Sequence, residues 1–387
     1  MTSPARQAEA DQASIAFQVA LTQIGAGTVE EALKLWQAVP PTARAATSTA
    51  WLRRAITLVM TRRRMSRDLA RAYYRLVRAL RTGRTVADPY HPEPTYVTLE
   101  TLRREFAELI GDASDGSLEG SSSAPSSDSS DSSPQAASGA SVEAGGEVQP
   151  SEEEPALEAG DDPDDDQILV EELPRLRDDE ERIEREAEAE ARVILEALGP
   201  ANLERKTAAL DAAKPAADVD KAREEAHQQA GARQAATAER LVMNGGRSAV
   251  WNHMTKDRRV IGYIRLSRTG TPCGWCAMLI SRGPVYKSQA SAGPSLAALT
   301  SGEYADGDKY HDNCHCYAEP VFSLAQYKGS SASELYELNR RYEELWPKVT
   351  KGLSGKQAIS AWRRFIRQEQ KAAAQEARQS NTNVQEA

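Results

Sequence analysis

The chain has 387 residues, a formal net charge of −9, an apolar content of 40% and an aromatic content of only 6%. This length is sufficient for two domains, each with a hydrophobic core. The sequence contains no run of eighteen apolar residues, and its N-terminus lacks the apolar core of a signal peptide. We therefore expect no transmembrane helix, no membrane partner and residence in a reducing cytoplasm.

The net charge conceals a division between an acidic segment and a basic remainder. Residues 111–190 contain 26 acidic and 4 basic residues, which gives this segment a charge of −22 and the rest of the chain +13. The two parts either pair within the chain or bind different partners.

The first 111 residues are predicted to form a helical N-terminal domain. Thr28 and Glu31 have the spacing of a capping box, which predicts that a helix begins there. Apolar residues at 3–4 spacing predict a second helix over roughly residues 48–80. A third helix is expected to begin after Thr98 as N-cap and to end near Gly111.

Five arginines of the second predicted helix recur at 3-4-4-3 spacing and share one helix face: Arg64, Arg67, Arg71, Arg75 and Arg78. Their mutual repulsion is costly unless anions lie near. Three interpretations follow. The stripe is a solvated face with local acidic compensation, it contacts an acidic protein surface or this chain's own acidic segment, or it contacts packaged DNA non-specifically. No base-reading module accompanies it.

Residues 112–166 are predicted to be a disordered linker rich in Ser, Gly and acidic residues, because they cannot bury enough apolar surface to offset chain entropy. A helical stalk is predicted over 167–260, a Cys/His core over 261–325, and C-terminal helices with a fraying tail over 326–387. The predicted fold class is mainly α, with a small α+β C-terminal domain. A flexible linker would let the folded parts on either side dock separately.

All four cysteines fall in one part of the chain, together with two of its five histidines. The candidate ligands are Cys273 and Cys276 in a C-x-x-C pair and His311, Cys314, His315 and Cys316 in an H-x-x-C-H-C group. Zinc is usually held by four nitrogen or sulfur ligands in a tetrahedron, and ligands two residues apart close around it. The spacing therefore predicts a zinc site that joins two distant turns.

Six candidate ligands compete for about four positions. The C-x-x-C pair is the first choice, and His311 and Cys314 repeat its two-residue gap. Cys316 is an alternative to Cys314, whereas His315 is expected to point away, because neighbouring side chains in an extended segment alternate. A full ligand set leaves no position for water, which favours a structural ion. The alternatives are cysteines without metal, reduced or disulfide-bonded, and a redox or catalytic thiol.

Two segments of this region, PCGWCAMLISRGPVYKS and YHDNCHCYAEPVF, resemble the head-morphogenesis domain of Mu F-like minor capsid proteins of tailed phages. The branch from phages of actinobacteria is the most similar. The preceding Gly-Gly-Arg of residues 245–247 and Gly-Tyr-x-Arg of residues 262–265 fit this branch. The resemblance covers roughly residues 232–322. The family usually has Pro after the histidine, where this chain has Asp312.

The resemblance implies a structural role in head morphogenesis, in association with the portal vertex and the head interior. The implied partners are the portal and the major capsid or scaffold proteins, and the implied location is the virion, with the host cytoplasm during assembly. A second reading is a capsid maturation protease, since related genes carry that label. A third reading is a zinc-stabilised protein that binds DNA without sequence specificity.

The residues themselves offer little support for a protease. The sequence contains no G-x-S-x-G, and His91, His227 and His253 lie in separate polar contexts that suggest no catalytic triad. We expect His253 to be an ordinary histidine on a helix surface or partly packed. Trp275, between the first two cysteines, is expected to pack over the metal site.

Overall fold

A computed structural model describes residues 3–115, 167–208, 210, 216–267, 272–284, 314–329 and 332–385. The helices in these residues are α1 (Pro4–Gln37), α2 (Thr49–Thr82), α3 (Leu99–Asp115), α4 (Leu176–Leu198), α5 (Pro200–Ala208), α6 (Ala216–Lys256), α7 (Gly274–Ile280), α8 (Leu324–Tyr327), α9 (Glu337–Val349) and α10 (Gly355–Gln385). Short 3-10 turns occupy Ala45–Thr47 and Glu334–Tyr336. The strands are β1 (Arg84–Val86), β2 (Tyr96–Thr98), β3 (Gln167–Glu171), β4 (Gly262–Ser267) and β5 (Cys316–Val321). The predicted fold class, mainly α with a small α+β part, is confirmed.

Three long helices, α1, α2 and α6, pack along one another and form the centre of the fold. Phe17 of α1 stacks on Tyr73 of α2, with ring centroids 4.3 Å apart. The two glycines of the Gly-Gly-Arg segment allow α6 to approach α2 closely. A Cβ at Gly245 would lie 2.6 Å from the carbonyl oxygen of Arg63, so no larger residue fits at this crossing.

One continuous hydrophobic core extends from α1 to α10. Residues 241–254 of α6 are all buried, because α6 lies between the N-terminal helices and the elements that follow it. The elements before and after the predicted linker thus pack against one another. The predicted domain limits stay predictions, and residues 116–166, which include most of the predicted linker, lie outside the described residues.

Elements from both sides of residues 116–166 also share a small sheet in the order β1-β3-β2. β3 is parallel to β1 and antiparallel to β2, with Leu169 opposite both Arg84 and Tyr96. The sequence predicts helix from residue 167, whereas Gln167–Glu171 form the strand β3. The run Ile168-Leu-Val has high strand propensity, and Pro174 separates it from α4.

Two predicted helix boundaries are wrong. Thr28 does not begin a helix: it is buried within α1, and its hydroxyl donates to the carbonyl of Ile24 at 2.7 Å. α3 continues past Gly111 to Asp115. The predicted N-cap Thr98 does accept a hydrogen bond from the amide of Thr101 at 3.1 Å. No helix of the described residues is sufficiently long and apolar to span a membrane.

The arginine stripe of α2 is not a solvated face. Arg67 and Arg71 both bind Glu180 of α4, at 2.7 and 2.6 Å, and Glu180 is buried between them. Arg64, at the start of the stripe, is exposed. These ion pairs hold α4 against α2, so part of the acidic segment pairs within the chain.

The remaining two arginines of the stripe are buried and bind several carboxylates each. Arg75 binds Glu105 at 2.7 Å and also Glu93. Arg78 binds Asp257 at 2.5 Å and also Glu171 of β3. The stripe is therefore an internal ion-pair network. Its four buried or half-buried arginines offer no surface to DNA, so the DNA interpretation does not hold for them.

A second sheet consists of β4 and β5, which pair in antiparallel register from Gly262–Val321 to Ser267–Cys316. α7 packs against β4, α9 and α10. This arrangement brings the C-x-x-C turn at the start of α7 next to the first residues of β5.

Candidate metal centre

Three cysteine sulfurs lie together between α7 and β5. The Sγ atoms of Cys276, Cys314 and Cys316 are all within 4.8 Å of one another, and all three residues are buried. The Cys276 and Cys314 sulfurs are 3.6 Å apart. This distance is far beyond a disulfide bond of about 2.05 Å. It is close to the sulfur–sulfur edge of about 3.8 Å that four Zn–S bonds of about 2.3 Å give in a tetrahedron.

A fourth ligand has two candidates. Cys273 is the N-cap of α7, and its half-buried side chain packs against the three-sulfur group without belonging to it. Its sulfur accepts a hydrogen bond from the amide of Cys276 at 3.4 Å. His311 lies outside the described residues. The side chain of His315 is not part of the group, and its carbonyl accepts from Gln18 of α1 at 2.8 Å.

Arg247, the arginine of the Gly-Gly-Arg segment, supports the cysteines of β5. Its guanidinium donates to the carbonyl of Cys316 at 3.1 Å and to that of Cys314. Asn244 accepts from the same guanidinium at 3.1 Å and fixes its orientation. The close approach of α6 and α2 at Gly245 thus places a buried cation directly behind the sulfur group.

The surroundings of the group favour a thiolate at Cys314. Hydrogen bonds from the Cys276 and Cys316 thiols hold the pKa of Cys314 well below its usual range, with further lowering by Arg247 and Arg265. Hydrogen bonds with Cys273 and Cys314 raise the pKa of Cys276. One of the three sulfurs is thus favoured as a thiolate, the form of cysteine that binds a metal ion. A divalent cation replaces thiol protons as it binds, so the residues fit a metal ion.

A buried carboxylate that the sequence does not reveal lies three residues after Cys316. Glu319 of β5 accepts hydrogen bonds from Ser14 of α1 at 2.8 Å, from Tyr336 at 3.3 Å and from Tyr73 of α2. Burial raises its pKa to about 7. This residue joins α1, α2, β5 and the 3-10 turn before α9. A lone carboxylate in the apolar segment YAEPVF is the signal that could have indicated it.

The histidines occupy separate settings. His253 is fully buried in α6, which corrects the expectation of a surface or partly packed residue, and it hydrogen-bonds the carbonyl of Ala249 at 2.8 Å. Burial lowers its pKa to about 4. His227 bonds the carbonyl of Val39 at 2.7 Å. Within the described part of the chain, no histidine hydrogen-bonds a serine or cysteine side chain.

Comparison with known proteins relates this region to a bacteriophage protein. The family described as VG15 protein matches residues 184–345, from α4 to α9, which include the Gly-Gly-Arg segment and all four cysteines. The Gene 15 protein of Mycobacterium phage D29 is 29% identical over 128 residues, which are 29% of this chain and 44% of that protein. The match thus spans less than half the length of this relative. No solved structure matches the chain.

Proposed function

We propose that this chain is a minor capsid protein of a bacteriophage, with a structural role in head morphogenesis. The observation that supports this proposal is the match of residues 184–345 to the VG15 family, together with the similarity to a phage protein. The matched residues include the segments that resemble the head-morphogenesis domain of Mu F-like proteins. The protein would be located at the portal vertex and head interior of the virion, with the portal and the major capsid or scaffold proteins as partners.

We further propose that the ion at the cysteine group is zinc in a structural role. Cys276, Cys314 and Cys316 would hold it, with Cys273 or His311 as the fourth ligand. Four protein ligands leave no open position for a reacting water, and sulfur ligands favour zinc over magnesium or calcium. When bound, the ion joins α7 to β5, whose position is already fixed by Arg247 and Glu319. A component of this kind presents a rigid surface to its neighbours in an assembly.

The proposed role is tested in the phage that encodes the chain. An amber codon in the gene should reduce the yield of DNA-filled heads, and mass spectrometry of purified wild-type virions should detect the chain. A plasmid copy of the wild-type gene should restore the yield, and a Cys276→Ser/Cys314→Ser copy should restore it poorly.

Two results would contradict this proposal. Normal virions from the amber mutant would exclude a required role in the head. Loss of processing of a capsid or scaffold protein in the mutant, together with cleavage of that protein by the purified chain, would instead support the capsid maturation protease.

A further inference from the structure

One face of α10 carries cations that the described residues do not neutralise. Its members are Lys356, Arg363, Arg364, Arg367 and Lys371, and all five are exposed. We call these five residues the basic face. At 3.6 residues per turn they fall within an arc of about 100°. Ser360, the other residue on this arc, is polar. Trp362 and Ile366, on the opposite side of the helix, are buried.

The basic face differs from the arginine stripe of α2 in its lack of acidic partners. None of its five residues forms an ion pair with a carboxylate of the described residues. The nearest acidic residue in sequence, Glu369, projects to the other side of α10 and binds Arg341 of α9 at 2.6 Å. Like charges four residues apart, such as Arg363 and Arg367, repel each other. A bound polyanion would remove this repulsion.

The turn that carries the C-x-x-C pair packs against α10 at the edge of the basic face. Gly274 of α7 lies against Arg363: a Cβ at Gly274 would be 3.0 Å from the Cγ of that arginine. Gln370 of α10 also donates to the carbonyl of Pro272 at 3.1 Å. Trp275, which follows Gly274 in α7, is 37% exposed. Proteins that bind single-stranded nucleic acids combine cations for the backbone with exposed aromatic side chains for base stacking.

We propose that the basic face binds the phosphate backbone of DNA without sequence preference. From Lys356 to Lys371 the helix extends about 22 Å at about 1.5 Å per residue. This length spans about six base-pair steps of a duplex at about 3.4 Å each. The buried centre of a protein interface is usually more apolar than the rest of the surface, whereas the arc of the basic face contains only cations and one serine. The inference rests on this surface alone and is independent of the proposed role in the head.

The test is fluorescence anisotropy with a labelled 30-base-pair duplex of random sequence and the full chain. If the basic face neutralises about four phosphates, the logarithm of the binding constant falls with the logarithm of the salt concentration at a slope of about −3.6. The affinity then decreases about 150-fold between about 50 and 200 mM salt. Arg363→Gln/Arg364→Gln/Arg367→Gln should reduce the slope by about 2.7, since each lost phosphate contact contributes about 0.9.

The matched control removes the same charge from α2, which packs against α1, α3, α4 and α6. Arg53→Gln/Arg54→Gln/Arg64→Gln replaces three exposed arginines there and should leave the slope nearly unchanged. If the triple variant of α10 melts at a lower temperature than the wild type, Lys356→Gln/Lys371→Gln serves in its place, with an expected reduction of about 1.8.

Three outcomes would overturn the proposal. The control could lose as much affinity as the α10 variant, which would indicate a general charge effect. Binding could show no salt dependence. A polyglutamate peptide of equal charge could displace the duplex at lower concentration than unlabelled DNA, which would indicate an acidic protein partner. For the indole, Trp275→Ser should weaken binding of a single-stranded 30-mer several-fold, and unchanged binding would remove Trp275 from the surface.

Discussion

At the scale of single residues, Glu319 links the stability of the fold to pH. Burial raises its pKa to about 7, although Tyr73, Arg81 and Ser14 act to lower it and Asp11 also raises it. In the unfolded chain the pKa returns to the ordinary value of 4.5. The unfolded carboxylate therefore ionises first as the pH rises. The contribution of Glu319 to stability is complete below pH 4.5 and is lost as the pH rises through 7.

His253 has the opposite effect in an overlapping range. Its pKa is lowered from 6.5 to about 4 by burial, with further lowering by Arg71 and Arg75, whereas the hydrogen bond to the Ala249 carbonyl and the charge of Asp88 act to raise it. Its contribution is complete above 6.5 and is lost as the pH falls through 4. The two effects are each worth about 3 kcal/mol at full extent, so they nearly cancel in the wild type between pH 4.5 and 6.5.

Substitution of either residue should reveal how the other makes the free energy of unfolding depend on pH. In Glu319→Gln we expect the free energy of unfolding to rise with pH between 4.5 and 6.5, and in His253→Asn we expect it to fall over the same range. Urea denaturation at half-unit pH steps measures both slopes. Parallel pH profiles for the two variants would show that neither group titrates as its surroundings indicate.

At the scale of elements, α4 is held against α2 by charge. Glu180 is buried between Arg67 and Arg71, so Glu180→Gln leaves two guanidinium groups with less compensation. We expect the free energy of unfolding to decrease by about 3 kcal/mol. The matched control is Glu181→Gln, because Glu181 forms a solvent-exposed pair with Arg177 within the same helix. The control should be nearly neutral. Equal effects of the two variants in urea denaturation would contradict a buried pair.

The crossing of α6 and α2 gives a second prediction at this scale. Gly245→Ala would place a Cβ 2.6 Å from the carbonyl oxygen of Arg63, so the helices must separate. We expect a loss of about 1–3 kcal/mol from overpacking. Gly111→Ala is the control, because nothing lies within 4 Å of that position in α3, and a helical alanine should stabilise by about 0.5–1 kcal/mol. Thermal melting compares the two, and stabilisation by both would exclude close packing at the crossing.

The helices, the helical fold class and the clustering of cysteines follow from local patterns that one sequence contains. Apolar spacing locates α2 to within two residues, and the C-x-x-C pair together with the second group of cysteines and histidines indicates a candidate metal site. The partners of charged groups could not be predicted in the same way. Arg78 binds Asp257, 179 positions away, and the sequence has no periodicity over such distances. For the same reason the sequence left the arginine stripe ambiguous and gave no role to Arg247.

At the scale of the whole molecule, the cysteine group lies where two parts of the fold meet, and α6 by itself does not hold both of them in place. β5 is held to α6 by Arg247 and to α1 and α2 through Glu319. α7, by contrast, packs against β4, α9 and α10. The metal ion that we propose at the sulfurs would therefore connect the C-terminal elements to the central helices. Its removal should loosen α7, β4 and β5 before it affects the packing of α1, α2 and α6.

Amide hydrogen exchange of the full chain under reducing conditions, with and without a chelator, tests this order. With free zinc at about 100 times its Kd, binding stabilises by about 2.7 kcal/mol, so chelation should reduce protection in β4, β5 and α7 by about 100-fold. Protection in α1, α2 and α6 should change far less, and added zinc should reverse the loss. In Cys276→Ser the chelator should have no effect. Uniform loss of protection across all helices would mean that the ion stabilises the fold as one unit, and unchanged exchange in β5 would exclude a structural ion there.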